Sequence, residues 1–282
     1  MSGSNDVWDA LVIEADDLPD PAAPWMTGDD TVVVAPVTSR DGERWPDREG
    51  RVVVVLGATG GAGATTVACG LALAIARRYS GSTLLDLDFE FGDTHERWDV
   101  PRDRTLDDLV PVLNELRSSH LDMVGYTHES GVDLCLSPAR HGASDDWGGA
   151  DVTALLSCAA KRGPVVVDAG NAPLHHMAAA CAVAQTLVVV APATLRGARR
   201  TKELAARYPT KRQRVVVNQP VGTRPELSSR AFGAACGRPV DIVLPSTQRD
   251  ADRLRSGNGH QSRRSLLHHL DVLAETDSHV AR

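Results

Sequence analysis

The chain has 282 residues, a net charge of -7 and 24% charged side chains, enough for one large α/β domain with tails. That charge excludes an overall basic nucleic-acid binder, no window approaches the roughly 20 apolar residues of a spanning helix, and Met1–Asp20 has neither the basic nor the apolar region of a secretory signal. The five cysteines, Cys69, Cys135, Cys158, Cys181 and Cys236, are far apart and form no CxxC pair, which fits reduced, buried thiols of a cytoplasmic protein better than a metal or redox motif.

Residues 1–50 read as a separate acidic region. Between Asp6 and Asp30 there are many acids, no Lys or Arg, and Pro19, Pro21 and Pro24, a composition that favours a solvated, flexible tail. A regular pattern begins at Arg51. Val52–Leu56 is a continuous apolar run, as in a strand buried on both faces. The strands expected after it are 83–87, 132–136, 165–167, 187–190, 215–217 and 242–244. Helices are expected between them at 65–78, 106–116, 152–160, 174–183, 193–206 and 225–235. The alternation predicts an α/β fold with a doubly wound, mostly parallel sheet flanked by helices. The domain expected from it spans 51–256. Ser256–Ser262 reads as a linker, within a 257–282 tail whose last helix, 264–275, carries Leu266, Leu267, Leu270 and Leu273 on one side. That stripe is short and has Asp271 and Glu275 beside it, so packing on the core is expected rather than peripheral attachment to anionic lipid.

The stretch Gly57-Ala58-Thr59-Gly60-Gly61-Ala62-Gly63-Ala64-Thr65-Thr66 follows the first expected strand and opens a helix. This is the context of a phosphate-binding loop. Glycines let backbone N–H groups approach a phosphate, and the helix N-terminus adds its dipole. Thr65 stands where a hydroxyl would ligate magnesium, and Thr66 follows it. A phosphate loop ordinarily has lysine before that hydroxyl, but this chain has Ala64, and its first lysine is Lys161.

Thr59–Thr66 resembles the deviant Walker A motif KGGxGK[ST]T of the ParA/MinD superfamily of P-loop ATPases (the SIMIBI class), with Thr59 and Ala64 in place of both lysines. The GGxGATT form is similar to the CpaE/TadZ branch, including actinobacterial CpaE-like proteins of septum site-determining type. The resemblance covers roughly Arg51–Arg255. It implies ATP and Mg²⁺ as ligands, with Thr59, Gly60, Gly61, Ala62, Gly63, Ala64, Thr65 and Thr66 around the phosphates and Thr65 and Asp168 holding the metal. Asp86-Leu87-Asp88-Phe89-Glu90-Phe91-Gly92-Asp93 is similar to the family's DLDxxxGD segment, which implies that Asp88 positions the attacking water with Asp86 in support. Val165–Asp168 has the form of a Walker B strand, and Ala169-Gly170-Asn171-Ala172-Pro173 resembles the switch after it. Asn218 and Pro245 match the positions that contact adenine in the family, and Asn218 has the donor and the acceptor that this needs. Arg196, Arg199 and Arg200 suit an acidic partner or DNA, or simply a solvated helix face. The ten histidines form no metal pattern.

The expected function is therefore that of an ATP-binding, ParA/MinD-like positioning protein with weak or absent hydrolysis, cytoplasmic, with a polar or septal address within that compartment. It would act as a homodimer on a Tad-type pilus, secretion or division assembly. The alternative is a non-hydrolysing interaction scaffold. A metabolite kinase would need a phosphate-clamping lysine and a basic lid, and neither is evident.

Overall fold

The computed structural model describes residues 51–140, 142–219 and 224–244, the backbone of Ala35–Pro36 and Pro245, and Leu270, Leu273 and Ala274. The acidic region before Ala35, the linker at 256–262, and Leu266 and Leu267 lie outside the described residues. Contacts divide the chain into 1–32 and 33–282, and every described residue belongs to the second unit.

Nine strands form one sheet: β1 (Ala35–Pro36), β2 (Val52–Gly57), β3 (Ser82–Asp86), β4 (Gly125–Thr127), β5 (Val132–Cys135), β6 (Val165–Asp168), β7 (Thr186–Ala191), β8 (Arg212–Gln219) and β9 (Ile242–Pro245). Their order is β1-β4-β5-β3-β6-β2-β7-β8-β9. All pairs from β5 to β9 are parallel, and only β1–β4 and β4–β5 are antiparallel. The expected doubly wound sheet is thus present, with an added antiparallel edge.

The central strands show why the chain folds this way. Val52, Val54 and Leu56 enter one apolar layer, whereas Val53 and Val55 enter the other. The same alternation holds for Val165 and Val167 against Val166, and for Val215 and Val217 against Val216. A strand whose side chains point alternately to two dry faces must be apolar throughout. One face is covered by α1 (Ala64–Tyr79), together with Trp98 and the helical residues Leu270, Leu273 and Ala274. The other is covered by α4 (Gly149–Ala160), α5 (Leu174–Val183), α6 (Leu195–Arg207) and α7 (Ser229–Cys236). Two short helices, α2 (Thr94–Arg97) and α3 (Leu121–Val124), complete the α-helices of four or more residues among the described residues.

The helix expected at 106–116 is a 3-10 helix, Leu106–Glu115. Pro111 lies inside it; its ring clashes with the carbonyl four residues back and it has no N–H to donate, so the α-helical ladder fails there. A capping box opens it, with the Thr105 amide donating to Asp108 at 2.9 Å and the Asp107 amide to the Thr105 hydroxyl at 3.3 Å.

All five cysteines are free and buried. Cys69 lies in the layer with α1, and Cys135, Cys158, Cys181 and Cys236 lie in the opposite one. Burial pushes the thiols of Cys69, Cys135 and Cys181 up to about 12.

Candidate functional site

β2 and β6 are neighbours, but the chain leaves them on opposite faces, through α1 from β2 and α5 from β6. Loops that diverge at the carboxyl ends of adjacent parallel strands open a crevice, the usual ligand position in such sheets. The Gly-rich loop and Asp168 both lie at this point.

The loop leaves β2 with the Ala58 amide on the Val190 carbonyl at 2.8 Å, then turns back with the Ala62 amide on the Thr59 carbonyl at 3.1 Å. Gly61 and Gly63 have φ of 71° and 90°. Gly63 is the N-cap of α1, and no side chain caps the first turn. Val67 N–H donates to the Gly63 carbonyl at 3.0 Å. The amides of Ala64, Thr65 and Thr66 therefore belong to the uncapped end of a sixteen-residue helix, the arrangement that attracts an anion. Asn218, at the end of β8, closes on the same loop, and its Nδ2 donates to the Ala62 carbonyl at 2.9 Å. Leu244 and Pro245 of β9 are in register with Asn218 and Gln219.

Three carboxylates gather beside the loop. Asp86 and Asp168 are register partners on β3 and β6, and both are buried, as is Asp88. Asp168 lies beside the Thr65 side chain, which favours its ionised form, and accepts the Gly170 amide at 3.2 Å. Asp86 accepts the Asp88 amide at 3.0 Å. Asp88 accepts the Phe91 amide at 2.9 Å and Asn171 Nδ2 at 2.8 Å. Burial, then the neighbouring Asp168, pushes the Asp86 carboxyl up to about 8. Burial pushes Asp168 up to about 6, against the pull of Thr65 and the Gly170 amide. A crowded, buried set of acids next to a threonine hydroxyl fits a hydrated magnesium ion. Such an ion takes one or two protein oxygens, with water and phosphate completing the shell. Among the described residues no cluster of three or more His, Cys, Asp or Glu side chains could form an all-protein metal cage.

The structure thus brings Thr59–Thr66, Asp86, Asp88, Asp168 and Asn218 to one edge of the sheet. It also places there Gly92 of the DLDxxxGD segment, and two residues that the sequence did not single out, Arg97 and Arg207. Gly92 packs so closely that a β-carbon would lie 2.7 Å from Asp86 Oδ2 and 2.8 Å from the Asp88 carbonyl. Arg97 is held by Asp93 through bonds of 2.8 and 2.6 Å, and its charge reaches Asp168. A groove of about 340 Å³ runs from Thr59 and Gly60, past Gly170 and Asn171, to α6, where Arg207 joins Arg196 and Arg200 along it. The spacing of these arginines, four and then seven residues, puts them on one helix face, a periodicity that was available in the sequence.

No family model matches the chain, and no curated protein matches its sequence. Solved structures share its fold. A ParA family ATPase from Chlorobium tepidum TLS gives a TM-score of 0.70 at 22% identity, over 80% of this chain and 98% of that one. The Pyrococcus furiosus cell division ATPase MinD gives 0.68 at 16% identity, over 82% and 100%. The septum site-determining protein MinD complexed with Mg-ADP, from Pyrococcus horikoshii OT3, gives 0.69 at 14% identity, over 82% and 97%. The chain therefore has the P-loop fold of these ATPases. No helix among the described residues is long and apolar enough to cross a membrane.

Proposed function

We propose that this chain binds ATP with magnesium at the Gly-rich loop and acts as a ParA/MinD-like positioning protein with slow or absent hydrolysis. The observation that carries this proposal is the juxtaposition of Thr65, in the first turn after the loop, with Asp168, at the end of the neighbouring strand. A threonine hydroxyl and a carboxylate paired across a glycine loop are the two protein groups that hold a hydrated magnesium ion in phosphate-loop proteins. Magnesium there would neutralise charge between the second and third phosphates. Asp88, fixed by Asn171 and the Phe91 amide, would orient a water, and Asp86 holds the Asp88 amide. Asn218 and Pro245 mark the end of the site for the base.

Turnover is slow in this proposal because neither Thr59 nor Ala64 carries the positive charge that a lysine would bring to the transferring phosphate. Phe91, Leu174 and Leu195 are large exposed apolar side chains in the segments that follow β3, β6 and β7. They lie at the same sheet edge and support docking of a second copy there. The GGxGATT form of the loop favours a Tad-type pilus, secretion or septum assembly as the cargo that is positioned.

The test is calorimetric titration with ATP and magnesium, with phosphate release followed on the same sample. Thr65→Ala is expected to abolish magnesium-dependent ATP binding and to leave the melting temperature within a few degrees. An unchanged affinity would remove the assignment of the metal to Thr65.

A further inference from the structure

We propose that Arg196 and Arg200 of α6 supply, from within the same chain, the positive charge that the lysine-free loop lacks, by binding the terminal phosphate of the nucleotide. This rests on the ATP site described above.

The direction of the nucleotide follows from the two ends of the loop. Asn218 braces Ala62 and crowds Gly63 at one end. At the other end Thr59 and Gly60 open into the groove, beside Gly170 and Asn171, and Asn171 is bonded to Asp88. A nucleotide laid with its base towards Asn218 places its last phosphate at the Thr59–Gly60 end. The cations lining that groove are arginines of α6.

The charges on this face are unequal. Arg200 is paired with Glu203 at 2.9 Å. Arg199 reaches Glu203 at 3.8 Å and does not line the groove. Arg196 has no hydrogen-bond or ion-pair partner among the described residues. It sits in the first turn of α6, which contains no acid. The carboxylate of Glu226 accepts the Leu195 amide from outside the helix at 3.1 Å. A cation at a helix N-terminus opposes the helix dipole, so Arg196 is placed where it does nothing for the helix but faces the groove. Arg97, the cation whose charge reaches Asp168, is committed to Asp93. Guanidinium groups suit this task, because they present several donors to phosphate oxygens and keep their charge at any working pH.

The experiment titrates the full-length wild type, Arg196→Ala, the double variant Arg196→Ala/Arg200→Ala, and Arg196→Lys/Arg200→Lys with Mg-ATP and with Mg-ADP. The double alanine variant is expected to lose at least tenfold in ATP affinity and less than threefold in ADP affinity. The double lysine variant keeps most of the ATP affinity. Glu203→Gln, which releases Arg200, binds ATP more tightly than wild type. The melting temperature of Arg196→Ala without ligand is expected to be no lower than that of wild type, which separates the ligand role from a structural one. Equal losses for ATP and ADP, or no loss for either in a wild type that binds both, would overturn the assignment and leave the ATP site standing. A wild type that binds neither nucleotide would remove both.

Discussion

Replacing Asp86 with asparagine raises the melting temperature of the metal-free protein at pH 8, by about 5 °C or more for a stabilisation on the order of 2 kcal/mol in a domain of this size. The cause is the buried acid cluster. Asp86 is pushed up to about 8 and Asp168 to about 6, from the usual value of 3.8. Between these values and 3.8 the folded state holds protons that the unfolded state releases, so stability falls as pH rises from about 4 to about 8. Asparagine cannot ionise, and its carbonyl can still accept the Asp88 amide that Asp86 accepts at 3.0 Å. Wild type and variant should therefore converge near pH 4 and separate towards pH 8. His95, His128 and His176, whose pKa values are lowered first by desolvation, contribute a trend of opposite sign. It cancels when the two proteins are compared at each pH. Thermal melts in chelator at pH 5, 6.5 and 8 decide the matter. An Asp86→Asn protein no more stable than wild type at pH 8 would show that the cluster is not frustrated.

Gly63→Ala has the opposite effect and is expected to cost about 3 kcal/mol, the sum of about 1–2 for a left-handed backbone and about 1–3 for overpacking. Gly63 has φ 90°, and a methyl group there would overlap Asn218 Nδ2. The Asn218 bond to Ala62 would break, the loop would open, and magnesium-dependent ATP binding would be lost with it. The double variant Gly63→Ala/Asn218→Ala removes the overlap but keeps the backbone strain, so it should recover about half of the lost stability. Denaturant unfolding of the wild type, both single variants and the double variant gives the coupling. Strictly additive effects would mean that Gly63 and Asn218 do not act on each other.

Much of the fold was legible because the central strands are dry on both faces, which leaves uninterrupted apolar runs such as Val52–Leu56 and Leu187–Val190. The antiparallel edge was not. β4 is three residues, Gly125–Thr127, and β1 is two, one of them proline, too short for any alternation to appear. The loop and its threonines were legible because they are contiguous. The carboxylates were legible because each ends or follows a parallel strand. The cross-ties were not, since Asn218 meets Ala62 from 156 residues away and Asn171 meets Asp88 from 83. No local pattern encodes such pairings. The closeness of Gly92 to Asp86 is likewise a product of packing, because the DLDxxxGD segment gives the position of the glycine and not what it lies against.

The distribution of the cysteines makes the protein its own stopwatch for opening. Every thiol is sealed in a layer, and a disulfide-forming reagent in solution can trap it only when that layer parts. Cys69 reports on the layer beneath the phosphate loop, and Cys135, Cys158, Cys181 and Cys236 report on the opposite one. Labelling rates read residue by residue would therefore separate breathing on the two sides of the sheet without any engineered probe. A ligand that ties the loop to α1 would slow the trapping of Cys69 in particular.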